Sequence, residues 1–184
     1  MRCAFFASGG GSNVQAIIDK KEHGQLPDAD LSLLIGNNSG AGVFGRAQKH
    51  GIPAVHCPPS RFESDETYTH TLLGILDNHG IEAIVLAGYM KKIPGAVISR
   101  FHQRIINIHP ALLPAFGGKG LYGSRVHEAV IAYGAKVSGI TVHFVDEEYD
   151  HGPIILQKTT EVRDTDTPHE LAARVLKLEH TWYW

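Results

Sequence analysis

The sequence predicts an α/β protein built on an open, mostly parallel twisted sheet with helices on both faces. Three observations carry that prediction. Short apolar runs alternate with helical patterns over the first 109 residues. One run, Ala83-Ile84-Val85-Leu86-Ala87, is apolar throughout, as a strand covered on both faces requires. Glycine-rich breaks or prolines punctuate the runs. The chain has 184 residues, 43% hydrophobic and 20% charged, enough for one sizeable core, and reads as a single domain, 1–184.

The elements follow in order. Residues 2–7 read as a buried strand, broken by Gly9-Gly10-Gly11. Residues 12–22 read as a helix with Val14, Ile17 and Ile18 on one face. A second strand, 31–36, is closed by Asn37-Asn38-Ser39-Gly40. A helix over 41–50 stops at Gly51, and a short strand, 54–56, precedes Pro58-Pro59. A helix over 65–79 ends at Gly80 and leads to the strand at 83–87. A short helix, 94–100, precedes a strand over 104–109. Beyond residue 134 two longer strand patterns, 138–145 and 154–162, are joined by 146–153, and a helix begins near Pro168. No internal repeat or linker interrupts this order.

Composition narrows the function. A net charge of -2 with no basic block argues against nucleic acid as a partner. The first apolar run is too short for a signal segment or a membrane span, so no membrane partner is expected. Two cysteines cannot form a disulfide framework, and a cytoplasmic location is the default. Cys3 reads as a buried strand residue and Cys57 as a loop thiol, neither of them activated. The 12 histidines invite a metal reading. No His-x-His, His-Glu-x-x-His or Cys-x-x-Cys is present, so no metal is expected. His50, His79 and His127 read as surface residues of helical stretches. His143 reads either as a partly buried sheet residue or as an orienter of a neighbour.

Three segments carry candidate chemistry. Ser8-Gly9-Gly10-Gly11-Ser12-Asn13 lies between strand and helix, where backbone N–H groups at a helix N-terminus hold an anion. The dinucleotide fingerprint fails because Val14 stands at the third glycine position. No Gly-Lys-Ser/Thr follows either, here or at Gly117-Gly118-Lys119-Gly120. The competing reading is a tight turn with Ser12 or Asn13 as N-cap. In the second segment, Ile105-Ile106-Asn107-Ile108-His109-Pro110, alternation puts Asn107 and His109 on one side of a strand end. An amide beside an imidazole suits acyl chemistry: one holds an oxyanion and the other moves a proton. The alternative is a strand end whose polar groups satisfy loop carbonyls. The third segment, Asp146-Glu147-Glu148-Tyr149-Asp150-His151-Gly152-Pro153, is either a solvated acidic turn or a carboxylate aimed at a histidine.

Taken together, Ser8 to Asn13, Gly88-Tyr89-Met90, Asn107-Ile-His-Pro-Ala-Leu-Leu-Pro114, His143-Phe-Val145, Tyr149-Asp-His-Gly-Pro153 and Glu179-His180 resemble the folate-dependent formyltransferase family, in its phosphoribosylglycinamide (GAR) formyltransferase branch. The resemblance spans nearly the whole chain. It implies a Rossmann-like formyltransferase fold and formyl transfer from 10-formyltetrahydrofolate, the co-substrate, to the primary amine of GAR in purine synthesis. It implies Asn107, His109 and Asp150 as catalytic residues, and Gly11, Ser12, Asn13 and Glu179 as holding GAR. It implies Met90, Lys91, Lys92, Ile93, Asn107, Asp146, Glu147, Glu148, Tyr149 and Asp150 as binding the folate. The partners implied are these two small molecules, with the protein a monomer or homodimer. Competing readings are a 10-formyltetrahydrofolate hydrolase and a non-catalytic phosphate-binding module. The length leaves no room for the tRNA-binding domain of larger relatives. The chain departs from the family pattern at 116–125, which is longer here. Lys119 and Arg125 there are candidates for the phosphate or the folate tail. Asp65 stands where some members have an arginine against the folate, with Arg61 a possible substitute.

Overall fold

The computed structural model describes residues 1–184, with seven strands and six α-helices. No helix is long and apolar enough to cross a membrane. The chain separates into two compact units, Met1–Ile105 and Ile106–Trp184.

The first unit contains β1 (Arg2–Ala7), α1 (Ser12–Glu22), β2 (Asp30–Gly36), α2 (Val43–Lys49), β3 (Ala54–His56), α3 (Asp65–Asn78), β4 (Ala83–Leu86) and α4 (Gly95–Arg100). Its strands lie in the order β3-β2-β1-β4, with each pair parallel. Phe5, Phe6, Leu33, Leu34 and Ile35 are all buried; consecutive burial along a strand means both faces are covered. From β1 the chain steps outward through β2 to β3, then returns to place β4 on the far side of β1. With right-handed crossovers, α1 and α2 take one face and α3 the other. The predicted helix at 41–50 starts later, at Val43, because Ala41 closes a turn by donating to the Asn38 carbonyl (3.0 Å).

The second unit holds β5 (Ile105–His109, entered from the first), α5 (Ser124–Tyr133), β6 (Val137–Phe144), β7 (Ile154–Glu161) and α6 (Pro168–Trp182). Its strands are antiparallel in the order β5-β6-β7. A reciprocal cap starts α6: the Thr167 hydroxyl accepts from the Glu170 N–H, while the Glu170 carboxylate accepts from the Thr167 N–H at 2.8 Å. The sequence pattern put His127 in a helical stretch but gave it no bounds; that stretch is α5, whose N-cap is Gly123 and lacks any capping side chain. His127 was expected on the surface; it is buried instead, on the inner stripe of α5 with Val126 and Val130.

Residues 111–114, just after β5, are pinned from beneath. The buried Thr141 hydroxyl accepts from the Leu113 N–H (3.0 Å) and donates to the Ala111 carbonyl (2.7 Å). Gln157 donates to the Leu113 carbonyl at 2.9 Å. Each backbone group of this buried loop so satisfied avoids a desolvation penalty of about 1–3 kcal/mol.

Candidate active site

In the first unit, the glycine turn sits at the carboxyl end of β1, beside β4. The strand order reverses direction there, and open α/β sheets place their ligands outside the strand ends at such a point. Ser8 ties three strand ends together. Its N–H donates to the Gly88 carbonyl (3.0 Å), its hydroxyl to Asn37 Oδ1 (2.5 Å), and it accepts from the Met90 N–H (2.8 Å). The side-chain cap of the competing reading is absent. The N-cap of α1 is Gly11 at φ +72°, and neither Ser12 nor Asn13 caps the helix. Gly11 is obligatory on two counts: the left-handed backbone, and a Cβ that would overlap Val43. The turn's carbonyls are spoken for. Gly9 accepts from the Val43 N–H (3.2 Å) and Gly10 from Arg46 Nε (2.7 Å). No side chain caps the first turn of α1, where an anion site at a helix N-terminus would draw on its amides.

In the second unit, the predicted triad comes together. Asn107 and His109 project from β5 and Asp150 from the loop before β7. His109 Nδ1 lies 3.4 Å from Asp150 Oδ2, and Asn107 Nδ2 lies 3.5 Å from Asp150 Oδ1. Asp150 Oδ2 also accepts from the Gly118 N–H at 2.9 Å. His109 is 4% exposed, so its ring works in a desolvated site. His109 Nε2 sits 2.8 Å from the Phe116 carbonyl, which can only accept, so Nε2 carries a proton. The other nitrogen, Nδ1, faces the Asp150 carboxylate.

The segment that completes this cluster is the one that departs from the family pattern. Phe116 and Asp150 both adopt left-handed backbone, at φ +56° and +54°. Such residues cost about 1–3 kcal/mol each and persist where the surroundings impose them. Gly117 has no room for a side chain: a Cβ would overlap Leu113 and stand 3.2 Å from the Asp150 Cβ. The sequence reading took Gly117-Gly118 only as a failed phosphate loop and missed these roles. The signal was the glycine pair, but its partner lies more than thirty positions away.

Histidines surround the triad. His143, paired with Asn107 across the β5–β6 ladder, accepts from Asn107 Nδ2 at 3.1 Å. Burial holds the His143 ring below the ordinary imidazole range, against the Phe144 carbonyl and Asp150, which favour the charged form. Burial, and then the charge of His109, likewise push His127 down.

The remaining expected residues fall as follows. Lys91, Lys92 and Ile93 line an open cavity of about 960 Å³ in the first unit, with Asp65 and Tyr68 of α3 opposite. Met90 beside them is 49% exposed. Arg61 is committed to His56, donating to its carbonyl (3.2 Å) and contacting its ring (3.0 Å). Asp146 accepts from His151 (2.8 Å) and the Glu148 N–H (2.9 Å), which shapes the acidic loop; Glu147, Glu148 and Tyr149 are exposed. Arg125 stacks on Tyr122, and Lys119 is exposed. Glu179 is half-buried on α6. Cys3 and Cys57 are both buried, and burial raises both thiols, which makes them poor nucleophiles. No three His, Cys, Asp or Glu side chains are grouped to hold a metal ion.

A glycine turn at a helix N-terminus and a buried amide–imidazole–carboxylate cluster on an α/β sheet are groups that suit acyl-transfer chemistry. The chain belongs to the formyl transferase family, whose pattern matches residues 1–184. It is similar to phosphoribosylglycinamide formyltransferase of Arabidopsis thaliana, a chloroplastic protein. The two are 46% identical over 183 residues, covering 99% of this chain and 62% of that protein. It is 41% identical to the Bacillus subtilis phosphoribosylglycinamide formyltransferase, covering 98% of this chain and 89% of the relative. A crystal structure of phosphoribosylglycinamide formyltransferase from Bacillus halodurans superposes with a TM-score of 0.92 at 39% identity, covering 100% and 91% of the two chains. The chain thus spans about six-tenths of the plant relative's length.

Proposed function

We propose that this chain transfers a formyl group from 10-formyltetrahydrofolate to the primary amine of GAR. The observation that carries the reading is the buried cluster in which one Asn107 N–H makes only a long contact with Asp150 and His109 Nδ1 stands 3.4 Å from the Asp150 carboxylate. The substrate amine attacks the formyl carbon and a C–N bond forms. The Asn107 N–H that makes only a 3.5 Å contact with Asp150 donates to the developing oxyanion. The amine's proton passes, through water, to the His109–Asp150 pair, and from there to the leaving folate nitrogen as its C–N bond breaks. Charge and protons balance without a covalent enzyme intermediate.

Gly11, Ser12 and Asn13 are assigned the phosphate of GAR, and Glu179 its glycinamide or ribose end. Met90, Lys91, Lys92 and Ile93, with Asn107 and the loop Asp146, Glu147, Glu148, Tyr149 and Asp150, are assigned the folate. The family pattern runs through both compact units, which supports reading them as one formyltransferase domain. Two unpaired thiols support a reducing compartment such as the cytoplasm. The assay is direct: with 10-formyltetrahydrofolate present, tetrahydrofolate must appear at a rate set by GAR. Equal release without GAR makes the protein a hydrolase, and no release with GAR rejects the reading.

A further inference from the structure

We propose that His143 is a positioning residue that sets the orientation of the Asn107 carboxamide, acting as a hydrogen-bond acceptor in its neutral Nδ1–H form. The inference rests on the formyl-transfer reading and deepens it. A carboxamide can turn about its last bond and exchange its NH₂ for its oxygen. Only one of the two orientations offers an N–H to an oxyanion, so something must choose.

The choice follows from a chain of donors and acceptors. The Asn107 and His143 Cα atoms are partners in the antiparallel ladder, so both side chains stand on one face. His143 Nδ1 is 2.8 Å from the Phe144 carbonyl. A carbonyl only accepts, so Nδ1 carries the hydrogen and Nε2 is left with a lone pair. That lone pair faces Asn107 at 3.1 Å, and only the amide nitrogen can satisfy it. One Asn107 N–H is thereby consumed. The planar amide fixes the direction of the other, which points to the Asp150 side of the cluster.

The device is held from behind. The Phe144 N–H donates to the Pro153 carbonyl at 2.9 Å, which secures the carbonyl that reads the tautomer. His143 is 2% exposed, so water does not compete for its nitrogens. The charged or titratable groups that face it are Asp150 at 3.8 Å, His109 on β5 and Asp146 just beyond β6. His109 opposes a charge on His143 and the two carboxylates favour one. Burial outweighs them, and the ring stays neutral at pH 7. If it gained a proton, Nε2 would become a donor and Asn107 would have to present its oxygen, which removes the oxyanion donor.

Two variants separate positioning from filling space. His143→Phe keeps a ring and removes the acceptor. His143→Gln places a carboxamide oxygen where Nε2 stands. We expect His143→Phe to lower kcat by about 10²-fold, the cost of losing one oxyanion donor, with KM for GAR unchanged. His143→Gln should recover most of that loss. Full kcat in His143→Phe, or a loss in His143→Gln as deep as in His143→Phe, overturns the proposal. Nitrogen-15 NMR of the wild-type rings gives a readout that needs no turnover and no variant. At pH 7 it should show His143 neutral with the hydrogen on Nδ1; a hydrogen on Nε2 overturns the proposal. If the wild-type protein does not formylate GAR, the functional reading fails, and the NMR result still decides the role of His143.

Discussion

Replacing Asp150 with asparagine changes one oxygen to an NH₂ group at constant shape, and the hydrogen-bond ledger shows why that is severe. Oδ2 accepts from the Gly118 N–H and faces His109 Nδ1; Oδ1 accepts from Asn107 Nδ2. Gly118 and Asn107 are both donors, one on each oxygen. Whichever way the new amide turns, its NH₂ opposes a donor. With its oxygen toward Gly118, it confronts Asn107, which escapes only by inverting its own amide. Inversion would point the Asn107 oxygen at the substrate carbonyl and strip His143 Nε2 of its hydrogen bond. The variant also loses the carboxylate that faces His109 Nδ1. Loss of a positioned proton carrier costs about 10²–10⁴-fold, so kcat should fall by about 10³-fold. Binding of GAR, assigned to the glycine turn, should be retained. A hydrogen bond to a charged group is worth about 1.5–3 kcal/mol, so unfolding in urea should show a loss of that order. Steady-state formation of tetrahydrofolate gives kcat, and calorimetry gives GAR binding. A kcat near the wild-type value would refute the donor–acceptor argument, and so would a collapse of GAR binding with kcat preserved.

Three further outcomes are expected. Gly11→Ala combines a left-handed backbone with a Cβ that overlaps Val43; it should cost at least about 1–3 kcal/mol in chemical unfolding and weaken GAR binding. An unchanged GAR affinity would detach the turn from the phosphate. Thr141→Val removes a buried hydroxyl that serves Leu113, Ala111 and Gln157. It should destabilise the fold by about 1–3 kcal/mol, and a neutral midpoint in denaturant would contradict that. His151, hydrogen-bonded to Asp146, has its pKa raised by that bond; burial raises Asp146, but the bonds from His151 and Glu148 outweigh it and lower it. The pair is therefore complete between the two values. It is lost as pH rises through the raised imidazole value and as pH falls through the lowered carboxylate value. An NMR titration should place the His151 midpoint above about 6.5, the usual imidazole value; a midpoint below it would remove the pairing.

Most of the parallel half was legible because its strands obey strong local rules. β1, α1 and β3 begin and end at the predicted residues, since apolar runs there are bounded by glycines or prolines. Strand alternation put Asn107 and His109 on one side of β5, and the family pattern added Asp150, which the fold brings beside them. What the sequence hid was set by contacts between distant residues. No propensity announces that the Phe116 carbonyl orients His109, or that Gly118 holds Asp150. A side-chain cap on α1 stood as the competing reading because Ser12 and Asn13 are good N-caps in isolation; the N-cap is Gly11, whose left-handed backbone and closeness to Val43 leave no room for a side chain. His127 was misplaced because burial of a histidine is decided by what packs on α5, not by the residue type.

The central claim is direct transfer within this cluster. A single-turnover reaction with formyl-¹³C folate and ¹⁵N-amine GAR tests it most closely. The account predicts that the label moves into a ¹³C–¹⁵N amide, with no free formate and no formylated protein when the reaction is quenched midway. Labelled formate as the main product, or formyl groups found on the protein, would contradict it.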